Sequence, residues 1–418
     1  MYIRRVQIRN IRSIQELKWK LPADMQTGWH VVIGDNGSGK STFLCAIALA
    51  LVGRSEAMAL RQDWNDWLTR GELEGSIKLH FSDAPVELGF SRVNEHLVEL
   101  KQRSGLERKM PPTGDQRTPD EQQELFSASY GPFRRFTGGE QEYRKIFRSN
   151  PRLAAHLSLF GEDVALTEYL GWLQDLQFKK LEERPGGDLL DHVREFVNQE
   201  GFLPHQVRLH KITSDGVEFI DGDGHQLPVE SLSDGYRSIL SMTFELIRQL
   251  AQFYGPDHVF DKGDPRKIVA PGVVLIDEVD AHLHPTWQRQ VGLWFREHFP
   301  RIQFIVTTHS PLVCQAADVG TVYRLPRPGS DERPGMVTGI DLDRLVYGNV
   351  LDAYGTEVFG PGITRSEKAK ERLRHLAELN LKELEKGLSD SEREAQEKLR
   401  AAMPTSAYTL SVSAEGER

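Results

Sequence analysis

The strongest constraint on this chain is Gly34-Asp35-Asn36-Gly37-Ser38-Gly39-Lys40-Ser41-Thr42, a match to G-x-x-x-x-G-K-[ST]. It stands directly behind the apolar run His30-Val31-Val32-Ile33 and ahead of Phe43 to Leu51. That order reads as strand, glycine loop and helix, the setting a phosphate-binding loop requires. The glycines let backbone N–H groups curl around a polyphosphate, and the following helix turns its positive end toward it. Lys40 is placed to add a point charge near the β- and γ-phosphates, and Ser41 to set a hydroxyl on Mg²⁺. An ordinary glycine-rich turn lacks this flanking pattern.

Composition narrows the class. With 418 residues, 39% of them hydrophobic, the chain can bury a large core. No stretch approaches the eighteen or so apolar residues of a membrane span, and Met1 to Val6 lacks the apolar core of a signal peptide. A soluble, cytoplasmic protein without a membrane partner is expected. Cys45 and Cys314 lie in apolar segments without metal spacing, as two buried thiols would. The net charge of -9 argues against global attraction to nucleic acid, so any DNA contact needs a local basic patch or a partner.

Before and after the loop, short alternating runs (Tyr2–Asn10, Gln15–Leu21, Ser76–Phe81, Val86–Phe90, His96–Leu100) predict an antiparallel sheet around it. Gln102 to Glu121 reads as a polar loop. From 121 to 204 the pattern turns helical, clearest at Val164–Leu181 and Leu189–Phe202, as an inserted arm. At its start Ser129 to Phe136 interleaves aromatics with Arg134 and Arg135, followed by Arg144, Lys145 and Arg148. These either touch phosphate and bases or form a solvated loop with packed rings. Strands return at His205–His210 and Val217–Ile220, with Asp221-Gly222-Asp223-Gly224 as a turn, since a calcium loop would need a further glutamate.

Ser233-Asp234-Gly235 opens a helix and offers a second anion-binding start, where N–H groups and a hydroxyl converge. Gly272 to Ile276 is an apolar strand ending in Asp277 and Glu278. Asp277 would hold the Mg²⁺ shell and Glu278 would orient or deprotonate the attacking water. His282 and His284 lie in the lead-in to a helix starting at Pro285, and no further ligand has a metal-like spacing. A last buried strand, Ile302 to Thr308, ends at His309, which can donate a hydrogen bond to a γ-phosphate or to the attacking water.

The order glycine loop, Leu-Ser-Asp-Gly, Ile-Asp-Glu, Thr-His-Ser-Pro resembles ABC-type ATPase heads of the RecF/SMC-like group. It is closest in pattern to the compact prokaryotic "AAA family" ATPases with D-E-x-D-A-H-L-H-P-x-W-Q, here Asp277 to Gln288. Similar ATPases serve Septu-type and retron-linked anti-phage systems. Ile8 to Ile14 is similar to the strand that meets the base side of the nucleotide in that group, which implies roles for Asn10, Arg12 and Ser13. The resemblance implies an α/β fold: a P-loop ATPase head with a mixed sheet and flanking antiparallel β subdomain, a short helical arm and a C-terminal helical hairpin. Its divisions fall at 1–120 and 205–330 for the two halves of the head, 121–204 for the arm, 331–404 for the helical region and 405–418 for a disordered tail. It implies ATP and Mg²⁺ as cofactors and a head-to-tail homodimer, extending to a higher oligomer if the geometry allows. The loop residues of one copy would face Ser233, Asp234 and Gly235 of the other, with Asp280 in the crossing loop. The glutamine linking the arm to Mg²⁺ is either Gln123 or Gln141.

The only D-x-D after His309 is Asp341-Leu342-Asp343, which reads as a helix N-cap, so an OLD-like nuclease is disfavoured. Ala377, Leu381, Leu384 and Leu388 form a helical stripe, and Ser389 to Glu392 a capping box. That hairpin either packs on its own domain or docks a partner. The resulting expectation is an ATPase that dimerises on ATP and switches a separate effector such as a nuclease. The rival is a RecF-like repair ATPase that binds DNA through Arg134, Arg135, Arg144 and Lys145.

Overall fold

The helix behind the glycine loop, Lys40–Val52 (α1), is apolar on every side and buried along almost its whole length. A helix of that kind needs cover all round, and two sheets supply it. In the computed structural model, which describes residues 1–60, 62–81, 85–94, 97–104, 125–132, 150–161, 168–354, 356 and 367–402, the chain divides into units Met1–Ala353 and Tyr354–Arg418. The antiparallel sheet runs β2-β1-β4-β5-β6, from β1 (Arg5–Ile11), β2 (Ile14–Lys20), β4 (Glu74–His80), β5 (Pro85–Asn94) and β6 (Leu97–Ser104). Its inward residues, among them Ile8, Trp19, Ile77, Leu79 and Phe90, share one core with Phe43, Leu44 and Ile47 of α1. Trp19 meets Phe43 edge-on at 5.9 Å between ring centroids. Each such fully buried side chain contributes roughly 1.5–3 kcal/mol.

The second sheet runs β14-β13-β3-β12-β11-β7, from β3 (Gly28–Ile33), β7 (Ser127–Tyr130), β11 (Gly272–Ile276), β12 (Ile302–Thr308), β13 (Gly320–Arg324) and β14 (Gly335–Met336). Every pairing is parallel except β13 with β14. Its far face is covered by the helix Pro285–His298, where Phe295, Phe299 and Trp29 pack on Phe304. A third sheet, β10-β9-β8, holds β8 (Arg208–Thr213), β9 (Gly216–Ile220) and β10 (Gln226–Pro228), with Asp221 to Gly224 as the turn between the last two. The fold is thus the expected α/β head with a mixed sheet and a flanking antiparallel sheet.

Several local readings change. Ser127–Tyr130, read as part of the inserted arm, is a buried strand of the central sheet. Its hydroxyls are satisfied internally: Ser127 and Ser129 hydrogen-bond to His156 at 3.1 and 3.0 Å. Burial holds the His156 imidazole neutral, with its pKa pulled down to about 3. His205 and Gln206, read as strand, adopt left-handed backbone angles (φ 55° and 56°) ahead of β8. Asp341 and Asp343 sit within the helix Gly339–Val346 rather than capping it. Of the arm's helices, the one read as Val164–Leu181 is helical over its described part, Glu168–Leu181, and the one read as Leu189–Phe202 ends at Val197.

In the second unit, helices Glu367–Glu385 and Asp390–Ala402 make a hairpin. Ser389 and Glu392 form the reciprocal capping box, each backbone N–H bonded to the other's side chain. The buried face is Leu376 and Leu379, joined by Asn380 and Glu383 bonded to Gln396. The stripe read from the sequence is instead turned outward, with Leu381 58% and Leu384 85% exposed.

Candidate active site

Parallel register brings the ends of five strands to one edge of the central sheet. Ile33 lies opposite Thr308 and Arg324, and Ile276 opposite Val306 and Tyr130. Gly34, Asp277, His309, Gly131 and Leu325, the next residues on, therefore share the carboxyl edge, where open α/β sheets hold ligands. The glycine-loop strand and the carboxylate strand are separated by β12, the strand that carries His309.

Within the loop, Gly37 (φ 76°) and Gly39 (φ 97°) take the left-handed conformation that lets successive N–H groups turn inward. A Cβ at Gly39 would stand 3.0 Å from Ser13 Oγ, so the tip of the β1–β2 hairpin abuts the loop. Lys40 Nζ donates to the carbonyls of Gly34 and Asp35 at 2.8 and 3.0 Å. Burial pulls its ammonium below the ordinary value, and the carboxylates of Asp277, Glu278, Asp35 and Asp280 pull it back up. Four acids from two distant segments thus act on the charge of one lysine. Thr42 is buried, whereas Ser41, Asn36 and Gly37 face solvent at the loop.

The carboxylates are held by two threonines that sequence reading passed over. Thr307 Oγ1 donates to Asp277 Oδ1 at 2.5 Å and accepts the Glu278 N–H at 2.8 Å. Thr308 Oγ1 donates to Asp280 Oδ1 at 2.5 Å and accepts the Ser310 N–H at 2.9 Å. Both threonines are fully buried, so loss of either hydroxyl leaves a polar group without its partner. Their signal was available in the run Thr307-Thr308-His309, two hydroxyls at the end of a strand beside another strand's acids. Glu278 is left-handed (φ 45°), a strained conformation for a non-glycine residue and one that gathers at functional sites. His309, half-buried, directly follows Thr308.

The hairpin residues divide. Arg12 lies 4.2 Å over the Trp67 ring, and Ser13 reaches the loop. Asn10, buried and left-handed, donates its amide to Glu72 Oε2 and the Glu74 carbonyl, both at 3.0 Å. That amide fixes the hairpin and is spent there. His284 accepts the Thr286 N–H through Nδ1, so it caps its helix. Ser233 stands at the start of the helix Asp234–Tyr254, exposed and without a capping hydrogen bond from its hydroxyl. Asp234 is exposed and paired with Arg237, and a Cβ at Gly235 would stand 2.8 Å from the His282 carbonyl. The Ser233 segment is thereby packed on the loop that carries Asp280. Gln123, Gln141, Arg134, Arg135, Arg144 and Lys145 lie outside the described residues.

The residues present fit a Mg²⁺ nucleotide. Ser38 Oγ is buried in the loop with no hydrogen-bond partner among the described residues, an atom a phosphate oxygen would satisfy. Ser41 and Asp277 are the oxygen donors a hard cation takes.

A family described as "AAA domain" matches residues 5–184. The Septu protein PtuA of Bacillus mycoides (strain KBAB4) is 26% identical over 370 residues, 85% of this chain and 45% of that protein. "Retron Ec83 probable ATPase" of Escherichia coli is 36% identical over 120 residues, 29% of this chain and 21% of that protein. The Septu protein PtuA of Bacillus thuringiensis is 32% identical over 148 residues, 35% of this chain and 33% of that protein. The chain thus spans less than half the length of these relatives. Among solved structures, an SMC head bound to the C-terminal winged-helix domain of ScpA aligns with TM-score 0.48 and 17% identity over 81% of this chain and 97% of that one. The model of the family described as "AAA domain, putative AbiEii toxin, Type IV TA system" matches residues 105–315, and the chain belongs to that family.

Proposed function

We propose that this ATPase binds MgATP at the edge formed by Gly34–Thr42, Asp277 and His309 and closes on it as a head-to-tail dimer. The observation that carries the reading is the gathering of Lys40, Asp277, Glu278 and Asp280 around one sheet edge, with a second uncapped helix start, at Ser233, left in solvent. The loop amides and Lys40 hold the β- and γ-phosphates. When bound, Mg²⁺ supplies charge neutralisation through oxygens of Ser41 and Asp277. Glu278 takes the proton of the attacking water, and His309 steadies the γ-phosphate by donating a hydrogen bond. Ser233, Asp234 and Gly235 of a second copy complete the anion site from the far side, and Arg12 and Ser13 line its base side. Asp280, tied to Thr308, couples the crossing loop to the strand that ends in His309.

The closed dimer acts on a separate effector, a nuclease in the defence role that the Septu and retron likeness suggests. No single described helix is long and apolar enough to cross a membrane. The deciding experiment compares two variants. Lys40→Ala should abolish MgATP binding. Glu278→Gln should bind normally, hydrolyse ATP roughly 100-fold or more slowly, and accumulate as a nucleotide-dependent dimer in size-exclusion chromatography. Unchanged turnover in Glu278→Gln overturns its assignment as base.

A further inference from the structure

The segment Leu325 to Ser330 leaves β13 beside Gly34 and runs along the phosphate-binding loop. Leu325 N donates to the Ile33 carbonyl at 2.8 Å. A Cβ at Gly34 would stand 3.1 Å from the Leu325 carbonyl, and one at Gly37 3.6 Å from Pro328 Cγ. Ser330 bonds the Arg327 carbonyl through both its N–H (3.1 Å) and its hydroxyl (2.9 Å), closing a turn. From that turn Arg327 Nε reaches Asp35 Oδ2 at 2.8 Å.

Asp35 lies inside the glycine loop, and its carbonyl accepts Lys40 Nζ. Its carboxylate is an awkward group there, because the loop must admit a polyphosphate. Asp277, Glu278 and Asp280 already face the same lysine. Each carboxylate repels an incoming anion, and the repulsion is long-ranged on the scale of the site because the screening length at 0.1 M salt is about 10 Å. We propose that Arg327 is a positioning residue of the nucleotide site: it is the counter-charge of Asp35, and it allows the loop to accept a polyphosphate. The inference rests on the nucleotide-binding reading above. Arg327 acts through Asp35, with the pair at the rim about half exposed.

The test is MgATP binding to the full chain by titration calorimetry, with wild type and Lys40→Ala as anchors. If wild type binds no MgATP, the nucleotide reading itself fails, whatever Arg327 does. If it binds, Arg327→Ala should weaken affinity roughly three- to tenfold at about 50 mM salt, with saturated turnover within about twofold of wild type. The penalty should shrink at about 0.5 M salt. Adding Asp35→Asn to Arg327→Ala should return affinity to within about twofold of wild type, because the charge that needed cancelling is gone. Unchanged affinity in Arg327→Ala overturns the inference, as does a penalty that Asp35→Asn leaves in place. The second result would mean that Arg327 works on the nucleotide or the turn and not through Asp35.

Discussion

Two helix starts in this chain present the same chemistry and are treated in opposite ways. At Lys40 the helix start is enclosed: the glycine loop wraps it, Ser13 closes one side, and the buried Lys40 is tied to two carbonyls. At Ser233 the helix start is open, with an exposed serine that caps nothing. Orphan N–H groups attract anions at both. The enclosed start has a lysine and a glycine loop beside its N–H groups, whereas the open one has only its serine hydroxyl there. The difference teaches where the dimer proposed above is most exposed to test: the enclosed start has its partners within one copy, and the open one has its serine in solvent beside the loop that carries Asp280.

The sharpest way to break that comparison is Ser233→Arg, which fills the open start and leaves the enclosed one alone. MgATP binding and melting temperature should stay near wild type while turnover falls below about 1%. Mixing this variant with Lys40→Ala should restore measurable ATP hydrolysis, since one site of a mixed pair then has both good halves. Absence of any restored activity would remove the second copy from the argument.

A smaller effect sharpens the enclosed side. Thr307→Val keeps the shape of the side chain and removes the hydroxyl that orients Asp277 and accepts the Glu278 N–H. Turnover should drop about 10- to 100-fold, with a higher Mg²⁺ concentration needed for half-maximal rate, and Thr307→Ser should recover most of it. A normal Mg²⁺ dependence in Thr307→Val would leave the threonine with a packing role only.

The smallest effect concerns the strand beneath. His156 has its pKa pulled from 6.5 down to about 3 by burial, and His30 to about 4 for the same reason. Each group protonates in the unfolded chain before it does in the folded one. Stability is therefore full above about pH 6.5 and is lost as pH falls toward the folded values. For His156 alone the loss at pH 5 is on the order of 2 kcal/mol. Urea titrations at pH 7.5 and 5 should show this acid limb, and His156→Gln should flatten it. An equal slope in the variant would clear His156 of the effect.

Much of the site was legible along the chain because its chemistry is written in contiguous runs. The loop from Gly34, the apolar strand ending in Asp277 and Glu278, and the strand leading to His309 each carry their candidate residue at a fixed place, so strand periodicity locates it. Ser127–Tyr130 was not legible. Four residues are too few for a period, and the hydrogen bonds that let the two serines be buried come from His156, outside the strand. The tail stripe failed for a related reason. Helical spacing offers both Leu376 with Leu379 and Leu381 with Leu384. The partner helix chose the first pair because Gln396 and Arg400 also bond Asn380 and Glu383 on that side.

What the amino-acid order determined by itself was the set of local devices: a glycine loop that only left-handed residues can close, a helix apolar all round that must be covered by two layers, and acids at the ends of buried strands. Folding in three dimensions decided which of these devices meet. Parallel register aligned Ile33, Thr308, Ile276 and Tyr130, and so set Lys40 among Asp35, Asp277, Glu278 and Asp280. It also spent the Asn10 amide on Glu72 and Glu74 and laid Arg327 against Asp35. The physical reason is range: glycine conformation and apolar period act over a few residues, whereas a hydrogen bond or an ion pair has no preference for how far apart its partners lie in the chain.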